Sequence, residues 1–462
     1  MQLELCVSKG RVVTAAGSFE ADIGVKDGCI AAISSPGELT AARTVDARDK
    51  IVLPGVIDPH LHYHMWERPF EDDCISEGRA AAAGGVTTLG IYIVRKEDAQ
   101  AANVFERGGG RLLSVAEYRE VFEQHSLVDG FFLAFVPEDN PEKPVETGFR
   151  EGVAFFKVAW GRSQPSDAAV FRAFRKIKEL GPPARALVHC EDVDICRLLE
   201  EEIAKTGRQD PEAFLEARPA FCEVDGMERY IRFAEAVGCP LYIVHVTIAE
   251  GPRIIADARR RGVDVVGETC PQYLTHASKR EGIFVDEPQL ARVNPPLRDR
   301  ASNESLWAGL RDGSIDIIGT DHSPRKLSEK KGTIWQVPPG LGNLTELILP
   351  VLFSEGVNKG KLSLEQLVRV TSYNAAKILG LYPRKGCIAI GSDADLVILD
   401  PKKRVVLSAD MLHSRSDYSI YEGWNFSGWP VGTILRGQLI MENGEIVGKP
   451  GCGKYLSIGK GA

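Results

Sequence analysis

The sequence predicts an α/β protein: an eight-stranded (β/α)8 barrel, with a β-sandwich domain built from both ends of the chain. Short apolar runs of strand length alternate with segments of helical period through the middle of the chain. Only short strands and turns occupy residues 1–54, and strands of the same texture return after residue 380. No GxGxxG opens a helix after the first strand of the alternating part, so nothing favours an open, dinucleotide-binding sheet.

The opening strands fall at residues 3–7, 11–13, 22–25, 29–33, 45 and 51–53, with Asp27-Gly28 as a hairpin signal. From Gly55 the rhythm changes, and buried-type strands are expected at 55–60, 86–94, 131–136, 153–159, 186–190, 241–246, 263–268 and 315–320. Helical patterns at 167–180, 192–205, 227–237 and 250–261 separate several of them, as a closed barrel requires. A helix over 362–379 is followed by strands at 387–390, 396–399, 405–406, 432–436 and 439–442. The expected organisation is therefore 1–54 and 381–447 as the two parts of the sandwich, and 55–380 as the barrel. The tail, 448–462, is rich in Gly and Lys and reads as either mobile or packed on a partner subunit.

Composition narrows the function. With 462 residues, 44% hydrophobic and 26% charged, the chain is an ordinary globular one that needs no disulfide staples. The net charge of −8, without basic runs, argues against nucleic acid or an anionic membrane as partner. Ten cysteines are scattered with no CxxC pair, which suits reduced thiols in the cytoplasm. The N-terminus lacks a secretory pattern, and no apolar run approaches the ~20 residues that span a bilayer.

The chemistry gathers at the ends of the expected barrel strands. In Asp58-Pro59-His60-Leu61-His62 the two imidazoles are two residues apart and so share one face of an extended strand. His189 and His245 each end an apolar run, Asp321 ends another, and Lys157 stands inside the apolar Phe155-Phe156-Lys157-Val158. Any one of these suits a hydrogen-bonded structural role. Together they bring six ligand-type groups to the rim where barrel enzymes keep their active sites.

This order of residues resembles the amidohydrolase superfamily, and within it the cyclic amidohydrolases of the hydantoinase and dihydropyrimidinase branch. Further segments carry the resemblance nearly end to end: Gly267-Glu268-Thr269-Cys270-Pro271-Gln272-Tyr273, Asn294-Pro295-Pro296-Leu297-Arg298, Gly319-Thr320-Asp321-His322-Ser323-Pro324 and Gly391-Ser392-Asp393-Ala394-Asp395. It implies two divalent metal ions, one held by His60, His62 and Asp321, the other by His189 and His245, with Lys157 bridging them as its N6-carboxylated form. Zinc suits a His-rich set with carboxylate oxygens. The implied reaction opens a hydantoin or dihydropyrimidine ring to an N-carbamoyl amino acid. A hydroxide shared by the metals attacks, and Asp321 acts as general acid and base. A homotetramer is implied as well.

The resemblance thins where substrate would bind. The branch usually carries an oxyanion-binding Tyr a few residues after the bridging Lys, whereas Lys157-Val158-Ala159-Trp160-Gly161-Arg162-Ser163-Gln164 has none. Trp160 and Arg162 are the candidates to fill that space. Asn294 stands where a Ser is usual, and Asn343 lies in a second departing loop, so both join the expected substrate-binding set. Allantoinase- or dihydroorotase-like activity shares the same ligands, and Arg68 or Arg162 could offer a cation to a substrate carboxylate. A non-catalytic scaffold relative is the alternative of another class, although such relatives lose metal ligands and all six positions are filled here.

Overall fold

The computed structural model describes residues 2–99, 106–159, 165–279, 284 and 286–458. The chain opens with β1 (Leu3–Val13), β2 (Ser18–Lys26), β3 (Cys29–Ser34), β4 (Ala41–Asp46) and β5 (Ile51–Pro54). The two expected strands at 3–7 and 11–13 are one strand, since the irregularity between Val7 and Gly10 is a bulge that shifts register without ending the pairing.

The barrel follows, as β6 (Val56–His62), β7 (Val86–Ile93), β8 (Asp129–Phe135), β9 (Phe155–Ala159), β10 (Arg185–Val188), β11 (Leu241–Ile243), β12 (Val265–Thr269) and β13 (Ile317–Ile318). All neighbours in this eight-stranded sheet are parallel. Just beyond β13 a parallel bridge joins His322 to Leu61, and Asp321 N donates to His60 O at 3.0 Å, so the last strand comes back to the first. Asp58 fastens the seam from inside: Thr320 and Thr345 donate their hydroxyls to it at 2.6 and 2.9 Å.

The helices lie close to where the apolar period puts them. One runs Asp167–Leu180 as expected. Another runs Val193–Ala204, capped by the Asp192 side chain, which accepts from Ile195 N. A third starts at Ala220 rather than at 227, because Gly226 continues the helix instead of breaking it. A Cβ at Gly226 would lie 2.7 Å from the Cys190 carbonyl carbon, so glycine lets this helix press against the backbone that follows β10.

After the barrel come β14 (Leu396–Val406), β15 (Asn425–Leu435), β16 (Gln438–Glu442) and β17 (Glu445–Ile446). They join the N-terminal strands in one nine-stranded sheet, order β17-β16-β15-β14-β5-β1-β2-β3, with β4 beside β1. This sheet encloses its own small core, in which Val7, Ile23, Val52, Leu396 and Ile434 meet. The strand expected at 387–390 is a turn: Ile390 is 70% exposed there, with no sheet surface to cover. The tail docks on its own barrel, where Leu456 N donates to Gly130 O at 2.7 Å and the Tyr455 hydroxyl to Gly152 O at 3.0 Å. All ten cysteines are free thiols, and among the described residues no helix is long and apolar enough to cross a membrane.

Candidate metal centre

Parallel strands all end at one mouth, and the expected ligands are found there. His60 and His62 alternate with Leu61 on β6 and both face inward. His60 Nε2, His62 Nε2 and Asp321 Oδ1 lie within 4.8 Å of one another, with Asp321 Oδ1 at 3.2 Å from His60 and 3.1 Å from His62. Across the mouth, His189 Nδ1 is 3.1 Å from His245 Nε2. Lys157, buried, holds its ammonium 5.3 Å from the Tyr92 ring centre. Asp321 and His245 both take left-handed backbone, at φ 51° and 39°, a conformation costly for a side-chain-bearing residue and concentrated at functional sites.

Hydrogen bonding decides which nitrogens are free. His60 Nδ1–H donates to Glu268 Oε1 at 2.8 Å, so Nε2 presents its lone pair, and that buried atom has no partner. His189 Nε2–H donates to Glu191 Oε2 at 2.7 Å, which turns the Nδ1 lone pair towards His245. Two nitrogens bound tetrahedrally to one ion at ~2.0–2.1 Å would be about 3.3 Å apart, close to this pair. His245 Nδ1 is a second buried nitrogen without a partner. Two buried ring nitrogens without partners, beside a carboxylate and a close pair of imidazoles, make a donor set that fits a divalent metal.

The electrostatics agree. Burial lowers the pKa of His60, but Glu268 and Asp321 outweigh it and raise it to about 9, so the two carboxylates make the surroundings of this ring favourable to positive charge. Burial also opposes ionisation of Asp321, yet His60 and His62 hold its carboxyl well below the usual range. For Lys157 burial dominates over the pull of Asp321 and Glu268, and its amine falls to about 8.

Four supporting residues carry no metal-ligand pattern of their own in the sequence. Glu268 holds His60 and also accepts from His245 N at 3.0 Å and from the Tyr242 hydroxyl. It fits because Gly319 lacks a side chain: a Cβ there would come within 2.4 Å of Glu268 Oε2. Glu191 orients His189 and accepts from Arg218 at 2.6 Å; burial works to raise its pKa, but Arg218 and His189 bring it to about 2. Tyr92 stacks on His62 at 4.9 Å, and its buried hydroxyl has no partner. Asp58 closes the seam described above. A signal existed for Glu268, a carboxylate inside an apolar strand like Lys157, and for Glu191, two residues beyond His189.

The expected substrate residues divide. Trp160 and Arg162 lie outside the described residues. Asn343 is buried, and its Nδ2 donates to Ser416 O and Tyr418 O at 3.0 and 2.7 Å, leaving its buried Oδ1 unpartnered. Asn294 likewise keeps a buried, unpartnered Oδ1. His322 turns away from the mouth, with Nε2 2.8 Å from Glu77.

Comparison with known proteins gives a consistent picture. The amidohydrolase family profile matches residues 216–440. A D-hydantoinase of Geobacillus stearothermophilus is 34% identical over 98% of this chain and 96% of its own length. An L-hydantoinase of Paenarthrobacter aurescens is 33% identical, covering 98% of both. A crystal structure of a D-hydantoinase superposes with a TM-score of 0.87 at 33% identity over 99% of both chains. That of a dihydropyrimidinase from Brevibacillus agri does so with a TM-score of 0.87 at 31% identity over 98% of both.

Proposed function

This chain belongs to the amidohydrolase family, in its hydantoinase and dihydropyrimidinase branch, and from that membership we propose that it hydrolyses a cyclic amide, opening a hydantoin- or dihydropyrimidine-type ring to an N-carbamoyl amino acid. His60, His62 and Asp321 would hold one divalent metal, His189 and His245 a second, and Lys157, carboxylated on Nζ, would be shared between them. An ammonium has no lone pair to give a cation, so Lys157 must first lose its proton, and the fall of its amine to about 8 favours that. Zinc suits the ligand set. When bound, such a metal pair activates water and polarises the scissile carbonyl.

The rest is done by the chain's own side chains. Asp321, ionised and facing His60 and His62, takes the proton of the attacking water and returns it to the ring nitrogen as the C–N bond breaks. Glu268 and Glu191 fix the tautomers of His60 and His189, so that lone pairs and not N–H groups face the centre of the mouth. The single observation that supports this reading best is the buried, unpartnered His60 Nε2 beside Asp321.

The dihydroorotase alternative gains little from Arg68, whose Nε–H donates to Asp73 at 2.7 Å and whose Nη2 donates to Pro324 O, so that its charge is already met. The reading implies a small cyclic amide as partner and carries with it a cytoplasmic homotetramer. Metal analysis together with turnover of hydantoin, dihydrouracil, allantoin and dihydroorotate tests it. Two metals per chain and hydrolysis of at least one of these are expected. Protein prepared without chelator that holds no metal and opens none of the rings would favour the scaffold reading.

A further inference from the structure

Away from the ligand set, two cysteines meet across a pair of helices. Cys196 lies on the helix Val193–Ala204, and Cys222 in the first turn of the helix Ala220–Val237. Asp192 ties their backbones together: its N–H donates to Cys222 O at 3.0 Å, and its carbonyl accepts from Cys196 N at 3.0 Å. The Cys196 thiol hydrogen-bonds to the Cys222 sulfur. Both side chains are fully buried, but their chain neighbours Ile195 and Phe221 are exposed, so the sulfurs lie one side chain beneath the surface.

Their surroundings favour reactivity. Donation from Cys196 lowers the pKa of the Cys222 thiol; burial, Glu191 and Asp192 work against this, and Arg298 assists. Arg298 is anchored on both sides of Cys222, at the Arg218 carbonyl and at Glu223 Oε2, 3.1 Å away. A thiolate at a helix N-terminus beside a guanidinium is the setting in which a cysteine attacks an oxidant, and a second thiol in contact can resolve the product.

A second contact runs parallel to the first. Glu200 follows Cys196 by one helical turn, Arg218 precedes Cys222 by four residues, and Arg218 Nε–H donates to Glu200 Oε1 at 2.6 Å. The same guanidinium reaches Glu191 through Nη1 at 2.6 Å, and Glu191 accepts from His189 at 2.7 Å. A disulfide needs its sulfurs about 2.05 Å apart, well inside hydrogen-bond contact. Closing one here draws the two helices together beside Arg218.

We propose that hydrogen peroxide closes Cys196 and Cys222 to a disulfide, and that closure loosens the metal held at His189. The first half stands apart from the cyclic-amide reading, and the second rests on the metal centre proposed with it. The Cys222 thiolate attacks peroxide, forming an S–O bond and breaking O–O, which leaves a sulfenic acid and hydroxide. The Cys196 sulfur then attacks Cys222, forming S–S and breaking S–O, and the departing oxygen takes the Cys196 proton to leave as water. Two electrons pass from the thiols to the peroxide, and a thiol reductant reverses the bond. Arg218, drawn along with the helix start, then holds Glu191 less well, and His189 loses the partner that fixes its tautomer.

The test treats the metal-loaded enzyme with stoichiometric peroxide, alkylates the unfolded chain and maps its peptides by mass spectrometry. A Cys196–Cys222 linked peptide is expected, with metal affinity in chelator competition at least about tenfold weaker, and dithiothreitol restoring both. Cys222→Ser should keep wild-type metal affinity before and after peroxide. Cys196→Ser should stop at a sulfenic acid that dimedone traps on Cys222. Absence of the linked peptide overturns the dithiol. A linked enzyme with metal affinity within about twofold of the reduced one overturns the coupling, as does equal loss of metal from Cys222→Ser. Should Cys222→Ser fail to fold, Cys196→Ala carries the same comparison. If the reduced protein binds no metal, the parent reading fails, and the peptide map still decides the dithiol.

Discussion

Two buried lysines stand at opposite ends of the barrel, and their surroundings shift them in opposite directions. Lys157, at the mouth, is 3% exposed and its amine falls to about 8, since burial outweighs carboxylates that stand off from it. Lys385, at the foot, is 2% exposed, yet its pKa rises above the usual lysine range. Burial pushes it down too, but its ammonium sits 2.7 Å from Asp129, 3.1 Å from Asp393 and 2.5 Å from Asp395, and these overcome the desolvation. Burial alone says nothing of a lysine's state. Direct carboxylate contact decides it.

Among the described residues, the same contrast separates the two places where acidic and imidazole groups crowd closely enough to hold a metal. One is His60, His62 and Asp321; the other is Asp129, Asp393 and Asp395. Proximity does not tell them apart, but a count of cations does. The foot supplies its own, with Lys385 at the centre, Arg436 on Asp129 and Arg384 3.0 Å from Asp393, and no atom of the three aspartates is left buried without a partner. The mouth leaves His60 Nε2 and His245 Nδ1 unmet. A knot that is complete joins barrel, sheet and tail: Arg436 also donates to Cys452 O, and Lys454 N donates to Asp129 at 2.8 Å. The one that is incomplete is ready for a ligand.

The strongest way to break this contrast is at the mouth. Lys157→Ala should remove metal and activity together, leaving turnover at least about a thousandfold down, with partial recovery in added short-chain carboxylates. Wild-type metal content and rate in that variant would show that Lys157 bridges nothing. Asp321→Asn, which keeps the shape but not the base, is expected to stay folded, keep at least one metal and lose about a hundred- to a thousandfold in kcat. A retained rate would move the base elsewhere.

At the foot the prediction reverses. Lys385→Met should leave three buried carboxylates short of charge and cost about 3–5 kcal/mol in stability, seen in denaturant melts, while metal content and kcat of the folded fraction stay near wild type. A loss of metal without a loss of stability would mean that the two ends are coupled and the contrast is false.

How much of this could be read from the sequence follows from the same distinction. His60, His62, Lys157, His189, His245 and Asp321 were legible because each is an odd residue at or within an apolar strand, and strand direction alone brings such residues to one end. The foot was not legible. Asp129 opens a strand, Asp393 and Asp395 lie just before β14 and Lys385 follows a helix, so no local pattern joins them, and only the packing of the sheet under the barrel does. The edge strand β4 was reduced to Val45 because residues 42–44 are exposed and give no apolar alternation. The seam at Asp58 was hidden for another reason: its partners Thr320 and Thr345 lie far along the chain, and no local pattern pairs a strand carboxylate with them.

Glu268 sharpens the contrast by the smallest step, because it is a buried carboxylate of the mouth that behaves like those of the foot. It touches no open position and is wholly taken up by His60, His245 N and the Tyr242 hydroxyl. Its work is to keep the proton on His60 Nδ1, and so the lone pair on Nε2. Glu268→Gln keeps the volume but can meet Nδ1 with either its oxygen or its amide, and the second choice would turn the imidazole's proton towards Asp321. The expected cost is about ten- to a hundredfold in metal affinity, measured by competition with a chelator, with a wild-type kcat once metal is saturating. Were Glu268 instead a proton carrier in the reaction, saturating metal would not restore the rate.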